Sequence, residues 1–147
     1  MWTAEQLRAI NEDGNLLVSA AAGAGKTAVM TERIARIIAS GTDVSEILVV
    51  TFTNPAAAEM KQRIERRLSE LAESTDDTKL KMHLHDSAIN ISTANISTIH
   101  SFCGNVLRRN CHIVGLDPAF RTADAAEAAL LRLKALDDVL EEAYSDA

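Results

Sequence analysis

One short segment brings together small residues, a lysine and a threonine in an order that suits phosphate binding. It reads Ala20, Ala21, Ala22, Gly23, Ala24, Gly25, Lys26 and Thr27, with alanine in place of the usual first glycine. Gly23 and Gly25 allow backbone N–H groups to curl around phosphate oxygens, because glycine adopts dihedral angles that other residues resist. Lys26 can reach the β- and γ-phosphates, and the Thr27 hydroxyl can bind Mg²⁺. The segment predicts a nucleotide-binding loop; the alternative is an Ala/Gly-rich turn without a ligand.

The elements beside the loop must hold it between a strand and a helix, and the apolar pattern predicts both. Residues 15–20 and 46–52 are apolar runs of the length of buried strands, and residues 95–99 are a candidate third strand. Apolar residues at helical spacing predict one helix from the loop to Gly41 and another from residue 54 to 71. Strands that alternate with helices predict an α/β fold with a parallel sheet and right-handed crossovers.

The second half of the chain is predicted to contain a surface connection followed by helices. Residues 73–92 lack sustained periodicity and crowd charged side chains, so we expect a surface connection in which His83 is exposed. Helices are predicted over 100–111 and, as a long amphipathic element, over 122–144. Four residues of the first of these helices are expected to face inward: Phe102, Cys103, Val106 and Leu107.

Composition limits the classes of protein to consider. The 147 residues carry 15 basic and 21 acidic side chains, and the net charge of −6 excludes a histone-like polycation. The low aromatic content of 3% favours helices packed through aliphatic side chains. Cys103 and Cys111 lack the spacing of a disulfide framework or a zinc site, and both are predicted to be buried. Neither a leader peptide nor a membrane-spanning run is recognised, which predicts a cytoplasmic protein.

Further segments resemble motifs of the UvrD/Rep class of superfamily-one helicases. Residues 2–6 (WTAEQ) are similar to their Q motif, residues 51–60 (TFTNPAAAEM) to motif Ia, and residues 97–102 (STIHSF) to the DNA-contact motif that follows. The approach to the loop at 18–22 (VSAAA) and residues 116–121 (LDPAFR) are similar to the AddA-type subunits of bacterial helicase–nucleases. The resemblance covers almost the whole chain.

The resemblance implies a fold, an activity and partners. The fold would be a partial RecA-like P-loop NTPase motor domain, with parallel strands and flanking helices, that ends in a long helix. Residues 1–112 would be the first half of the ATP-binding domain, and residues 113–147 a loop and an acidic helix that begin an accessory insertion. The activity would be ATP- and Mg²⁺-dependent unwinding and nucleolytic processing of double-strand DNA ends for recombinational repair. The partners would be single-stranded DNA, DNA ends and a second, AddB-like nuclease subunit.

The resemblance also implies roles for individual residues. Lys26 and Thr27 would be catalytic, the loop from residue 20 to 27 would bind ATP, and Gln6 would read its adenine. Four residues would contact single-stranded DNA: Phe52, Asn54, His100 and Ser101. Four of these residues also have a structural alternative. Gln6 has capping-box spacing from Thr3, Asn54 can cap a helix, Phe52 can fill the core, and His100 can cap a helix or fill a gap in the core.

A run of basic residues after motif Ia has a simpler interpretation than DNA binding. The run contains Lys61, Arg63, Arg66 and Arg67. Because Glu59 precedes Arg63 by four residues and Glu70 follows Arg66 by four, we predict a solvated helix face with ion pairs.

Several motifs of these helicases are not recognised in the sequence: the Walker B acids, the later motor motifs, the γ-phosphate arginines and the nuclease domain. We therefore expect an N-terminal fragment that hydrolyses no ATP by itself. Three other functions remain open at this point: a UvrD/Rep helicase without a nuclease, a P-loop enzyme of another class such as a small-molecule kinase, and a nucleotide-binding module without catalysis.

Overall fold

The computed structural model describes residues 2–21 and 23–145. These residues form six α-helices: α1 (Ala4–Asn11), α2 (Lys26–Ala39), α3 (Asn54–Ser74), α4 (Thr78–Ile89), α5 (Ile99–Arg109) and α6 (Ala125–Ser145). They also form two strands, β1 (Leu48–Thr51) and β2 (Asn95–Thr98), and two 3₁₀ turns, Val44–Glu46 and Asn90–Thr93. The chain divides into two compact units, Met1–Val106 and Leu107–Ala147.

The two strands are parallel neighbours. Leu48 lies opposite Asn95, and Thr51 lies opposite Thr98. Helices α3 and α4 lie between the strands in sequence, because a parallel pair needs a long crossover connection. The predicted α/β fold with parallel strands and flanking helices is confirmed for this strand pair.

Helix α3 provides the apolar stripe around which the first unit packs. Met60, Ile64 and Leu68 of this helix are buried, as their helical spacing predicts. The stripe belongs to a core that includes Ile34 and Ile38 of α2, Leu84 of α4, Val49 of β1 and Ile96 of β2. Burial of these aliphatic side chains is the main force that holds the helices and strands together.

Helix α2 begins after a glycine and ends before one. Gly25 is its N-cap residue, with φ 79°, and Ser40 is its C-cap residue. The next residue, Gly41, has φ 106° and donates its N–H to the carbonyl of Ile38 at 2.9 Å. The predicted end of the helix at Gly41 is confirmed, because a left-handed backbone after the C-cap is readily adopted by glycine.

The cap of α3 is Thr53, so the prediction that Asn54 caps this helix is wrong. The Thr53 hydroxyl accepts a hydrogen bond from the Ala56 N–H at 3.3 Å, and Thr53 has the extended backbone of an N-cap residue. Asn54 is already the first helical residue, and Pro55 follows it in the first turn, where a missing N–H costs nothing.

Residues 15–20 do not form the strand that their apolar pattern predicts. Leu17, in the middle of the run, is 97% exposed. A strand needs a neighbour for its backbone N–H and C=O groups, and among the described residues β1 and β2 pair only with each other. The loop therefore follows an irregular segment and not a strand, whereas the predicted helix after the loop is present.

Residues 73–92 are not a surface connection, because most of them form helix α4. Asp77 begins this helix by accepting hydrogen bonds from the N–H groups of Lys79 and Leu80 at 2.8 and 3.2 Å. The helix buries Leu84 in the core. His83 is half-buried, contrary to prediction, and its Nε2 lies 2.7 Å from the carbonyl oxygen of Ile38. The apolar side chains of α4 are too few to give a clear period in the sequence.

Helices α5 and α6 expose apolar faces that the sequence predicts to face inward or to pack. On α5, Cys103, Val106 and Leu107 are exposed and Phe102 is half-buried. The prediction that Cys103 is buried is therefore wrong, and Cys111 is half-buried. On α6, which occupies most of the predicted span 122–144, no described residue is buried. No helix within residues 2–21 and 23–145 is long and apolar enough to cross a membrane.

Candidate nucleotide-binding site

The loop before α2 has the backbone that its glycines allow. Gly23 and Gly25 both have φ 79°, in the left-handed region. The Ala24 N–H donates to the Ala21 carbonyl at 3.3 Å, which closes a tight turn in the loop. Within the described part of the chain, and apart from Gly23 and its two chain neighbours, no atom lies within 4 Å of the position that a Cβ of Gly23 would take, so this side of the loop is open. Ala22, which is also predicted to bind the nucleotide, lies outside the described residues.

Lys26 is held in the loop by the backbone that precedes it. Its ammonium donates to the carbonyl oxygens of Ala20 at 2.5 Å and Ala21 at 2.8 Å. An ammonium has three N–H donors, so one more is left for an anion at the same place. Lys26 and Thr27 are both exposed, so a phosphate group can reach their polar side chains.

The beginning of α2 fits a phosphate group. No side chain among the described residues caps this helix at Gly25. The N–H groups of its first turn lack partners within the helix and carry the positive end of the helix dipole. These donors, together with the Lys26 ammonium, form the kind of site that binds phosphate at helix N-termini. The Thr27 hydroxyl is a hard oxygen ligand of the type that Mg²⁺ accepts.

Gln6, on helix α1, contacts the loop. Its Oε1 accepts the Thr3 N–H at 2.9 Å, and the Thr3 hydroxyl accepts the Gln6 N–H at 3.2 Å, so the predicted capping box is confirmed. The Gln6 Nε2 also donates to the Ala24 carbonyl at 3.3 Å. A Cβ on Gly25 would lie 3.3 Å from this nitrogen. The capping box and the Ala24 contact do not exclude adenine recognition, because they leave one lone pair of Oε1 and one N–H of Nε2 for the base.

A cavity of about 280 Å³ lies between α1 and the loop. Its lining includes Thr3, Gln6, Ser19, Ala20, Ala24 and Lys26. The cavity therefore brings together the lysine, part of the loop and the glutamine, which the sequence predicts from separate motifs.

The four predicted DNA contacts follow the carboxyl ends of the two strands. Phe52 comes directly after β1 and is 100% exposed, which rules out the alternative that it fills the core. Asn54 follows it, and His100 and Ser101 follow β2 in the first turn of α5; all three are exposed. Because Thr51 and Thr98 are register partners in a parallel pair, both sets leave the same edge of the sheet.

Ser101 is fixed by contacts with the strand before it. Its hydroxyl lies 2.8 Å from the Thr98 hydroxyl, and its N–H donates to the same Thr98 oxygen at 3.2 Å. These contacts hold the start of α5 against β2. They place the neighbouring His100 at the end of the strand, where the sequence predicts DNA contact.

Two basic residues of α3, Arg63 and Arg67, form ion pairs, and one of the predicted pairs has a different partner. The Glu59–Arg63 pair forms as predicted, with a distance of 2.6 Å between Nη2 and Oε1. Glu70, however, pairs with Arg67 at 3.1 Å and not with Arg66. The i,i+3 geometry is equally allowed on a helix, and Arg67 lies on the more buried side.

A buried acidic residue of α2, Glu32, is absent from the residues that the sequence motifs select. Its side chain is 5% exposed, and its carboxylate accepts hydrogen bonds from Arg67 of α3 at 2.6 and 3.2 Å and from Arg36 at 3.1 Å. These hydrogen bonds, above all the one from Arg67, hold the pKa of Glu32 below its ordinary value although burial raises it. The i,i+4 spacing of Glu32 and Arg36 is a weak signal in the sequence that could have indicated the second of these pairs.

The family of UvrD/REP helicase N-terminal domains matches residues 2–147. An ATP-dependent helicase/nuclease subunit of Alkaliphilus metalliredigens is 47% identical over 99% of this chain and 12% of its own length. The protein of the same name from Heliobacterium modesticaldum is 49% identical over 99% of this chain and 10% of its own length. That from Desulforamulus reducens is 49% identical over 98% of this chain and 12% of its length.

These similarities agree with the motifs and confirm the resemblance to an AddA-type helicase/nuclease. The chain spans only 10–12% of the length of these relatives. The matched length includes the loop, both strands and the segments at their ends. The chain belongs to the family of UvrD/REP helicase N-terminal domains.

Proposed function

We propose that this chain is the N-terminal ATP-binding part of an ATP-dependent DNA helicase–nuclease that unwinds and processes double-strand DNA ends for recombinational repair. The observation that carries the proposal is the loop at Gly23–Thr27, where a lysine lies at the uncapped start of α2 among the described residues. Relatives named as ATP-dependent helicase/nuclease subunits support the coupling of ATP to DNA. The word subunit in their names supports a partner, which we propose to be a second, AddB-like nuclease subunit.

In this proposal the groups around the loop bind different parts of the nucleotide. The first-turn N–H groups of α2 orient the phosphates, and Lys26 stabilises the negative charge on the β- and γ-phosphates. Thr27 contributes its hydroxyl to Mg²⁺, which neutralises phosphate charge when bound. Gln6 reads the adenine edge with its amide, by the donor–acceptor pairing that glutamine makes with adenine N6 and N7.

Single-stranded DNA is proposed to bind along the carboxyl edge of the two strands. Phe52 is able to stack on a base, because its ring is fully exposed. Asn54 and Ser101, in the first turns of α3 and α5, can donate to phosphates, and His100 adds a further polar contact. Since α2 and α3 share one core, a change at the loop can be transmitted to this edge.

The experiment is Lys26→Ala in the full-length protein, with ATP turnover measured at saturating single-stranded DNA. Removal of one charge-stabilising donor typically lowers turnover about 10²–10³-fold, and we expect a loss of that size. The matched control is Lys61→Ala, since Lys61 of α3 donates to the Ser92 carbonyl at 3.2 Å and does not line the cavity at the loop. Near-normal turnover in Lys26→Ala would contradict the assignment of the loop.

The nuclease part of the proposal has a separate test. The Lys26→Ala protein should still cut single-stranded DNA in the presence of a divalent metal, because nucleolytic hydrolysis needs no ATP-binding loop. If the wild-type full-length protein unwinds DNA but never cleaves it, the chain comes from a helicase without a nuclease.

A further inference from the structure

Helix α1 depends on few apolar contacts for its position, although it carries Gln6. It has eight residues, a length at which an isolated helix is unstable in water, and Ile10 is the one residue of Ala4–Asn11 that is buried. Burial of apolar side chains therefore contributes little to fixing the orientation of α1. Its orientation must rest largely on polar contacts at its two ends.

Most of the polar contacts at the C-terminal end come from Arg33 of α2, and Arg36 Nη1 also donates to Asn11 Oδ1 there. The Arg33 Nη1 donates to the carbonyl oxygens of Glu12 at 2.7 Å and Ala9 at 2.9 Å, with the carbonyl of Ile10 at 3.5 Å. These groups belong to the last turn and C-cap of α1 and lack partners within the helix. A guanidinium there satisfies them and is attracted by the negative end of the helix dipole.

The contact at the other end of α1 is the one between Gln6 and the loop. Gln6 Nε2 donates to Ala24, two residues before Lys26, which begins the same helix α2 that carries Arg33. Helix α2 and the loop before it thus hold α1 at both ends. If the C-terminal attachment is lost, α1 can pivot, and the Gln6 amide moves relative to the loop.

We propose that Arg33 is a positioning residue that fixes Gln6 beside the phosphate-binding loop and so sets the selectivity for the purine base. The inference rests on the proposed function, in which Gln6 reads adenine. Arg33 touches neither nucleotide nor DNA in this scheme. It acts by restricting the orientation of α1, so its loss affects discrimination between bases more than the rate with saturating ATP.

The kinetic test uses Arg33→Ala and Arg33→Lys in the full-length protein, with kcat and KM measured for ATP and GTP at saturating single-stranded DNA. One misplaced hydrogen bond corresponds to a factor of about 3–10, so the ATP/GTP ratio of kcat/KM should fall by that factor in Arg33→Ala. The value of kcat for ATP should change less than about twofold, because a lost positioning contact acts mainly through KM. Arg33→Lys, which keeps a donor but loses the fork, should give an intermediate ratio.

The control for these variants is Arg8→Ala, on α1 itself. Arg8 is highly exposed and pairs with Glu12, four residues further along the chain. Because this pair does not join α1 to α2, the Arg8→Ala change should leave the ATP/GTP ratio unchanged. If Arg33→Ala lowers kcat and leaves the ratio intact, or if Arg8→Ala lowers the ratio equally, the inference is wrong. The Lys26→Ala result stands apart: failure there overturns the ATP site, whereas failure here with an inactive Lys26→Ala overturns only the role of Arg33.

A second readout uses the 147-residue chain and its single tryptophan, Trp2. Trp2 immediately precedes the N-cap of α1, is half-buried, and lines a groove with Ala28 and Thr31 of α2. Release of α1 should shift Trp2 emission to longer wavelength in Arg33→Ala while far-UV circular dichroism stays near that of the wild type. An unshifted spectrum would mean that α1 is held without Arg33 and would contradict the proposal.

Discussion

Glu32 of α2 and Arg67 of α3 form a partly buried ion pair between the helix that follows the phosphate-binding loop and the helix that follows β1. The Arg67 Nε lies 2.6 Å from Glu32 Oε2, and the two side chains are 32% and 5% exposed, respectively. Arg36 completes the arrangement by contacting the same carboxylate at 3.1 Å. A buried carboxylate that is held by two guanidinium groups fixes the position of α2 on α3 in a way that apolar packing, which tolerates sliding, does not.

We predict that Glu32→Ala lowers the free energy of unfolding of this chain by about 2 kcal/mol, from the loss of hydrogen bonds between charged groups. The loss stays below that of a fully buried pair because both arginines retain access to water. The matched control is Glu59→Ala, which breaks an exposed pair with Arg63 and should cost about 0.5 kcal/mol or less. Urea unfolding followed by circular dichroism measures both; equal losses would contradict the prediction.

The same residue should make stability depend on pH in the acid range. The pKa of Glu32 is lower in the folded chain, so the unfolded chain binds more protons there, and stability falls as the pH falls. The stabilisation is fully present above about 4.3, the ordinary glutamate pKa, and is lost as the pH drops through the lower folded value. Wild type and Glu32→Gln should therefore converge in stability at low pH; a difference that stays constant would show that Glu32 is not the titrating group.

In that comparison Asp43 does not interfere. Hydrogen bonds from the Ser45 hydroxyl and N–H lower the pKa of Asp43, and its contribution is lost in the same direction. Because Asp43 is present in both wild type and Glu32→Gln, its effect cancels in the difference between them.

We predict that Gln6→Glu separates the capping role of the Gln6 side chain from the roles of its amide N–H groups. Glutamate at this position still accepts the Thr3 N–H and keeps the capping box, but it has no N–H to donate to the Ala24 carbonyl or to adenine N7. In the full-length protein, Gln6→Glu should narrow the ATP/GTP preference while the helix content of the 147-residue chain stays unchanged. Gln6→Ala should lose both. An unchanged preference in both variants would leave Gln6 as a capping residue only.

For DNA, we predict that Phe52→Ala and His100→Ala in the full-length protein weaken single-strand binding more than Arg63→Ala does. Loss of one base-stacking contact costs about 1–3 kcal/mol, whereas Arg63 already has Glu59 as a partner. Fluorescence anisotropy at one fixed salt concentration gives the comparison, because phosphate contacts change with salt. If Arg63→Ala weakens binding as much as the other two variants or more, the basic face of α3 is the DNA-binding surface.

We predict that the 147-residue chain by itself hydrolyses no ATP. The motifs recognised in the sequence supply one Mg²⁺ ligand, the Thr27 hydroxyl, and the Walker B acids are not recognised among them. Phosphoryl transfer also needs a group that orients water and a positive charge on the transferred phosphate. A phosphate-release assay with Lys26→Ala as the control for contaminants tests this; turnover that depends on Lys26 would place a catalytic acid within the chain.

The features that the sequence determined are those that depend on neighbours in the chain. The capping box of Thr3 and Gln6, the end of α2 at Gly41 and the buried stripe of α3 all follow from interactions between residues that are close in sequence. The chemistry of the loop is local for the same reason, because its donors are consecutive backbone groups and one lysine. Such signals do not depend on how distant parts of the chain pack.

The features that only the tertiary structure decided depend on residues far apart in sequence. Residues 15–20 have a strand's composition but no strand beside them among the described residues, and α4 is held by core contacts that its own weak period does not reveal. The ion pair of Glu32 with Arg67 joins positions 35 residues apart. Strand pairing, burial and ion pairs between helices need partners whose distance in space is set by the packing of the whole unit, so local patterns leave them open.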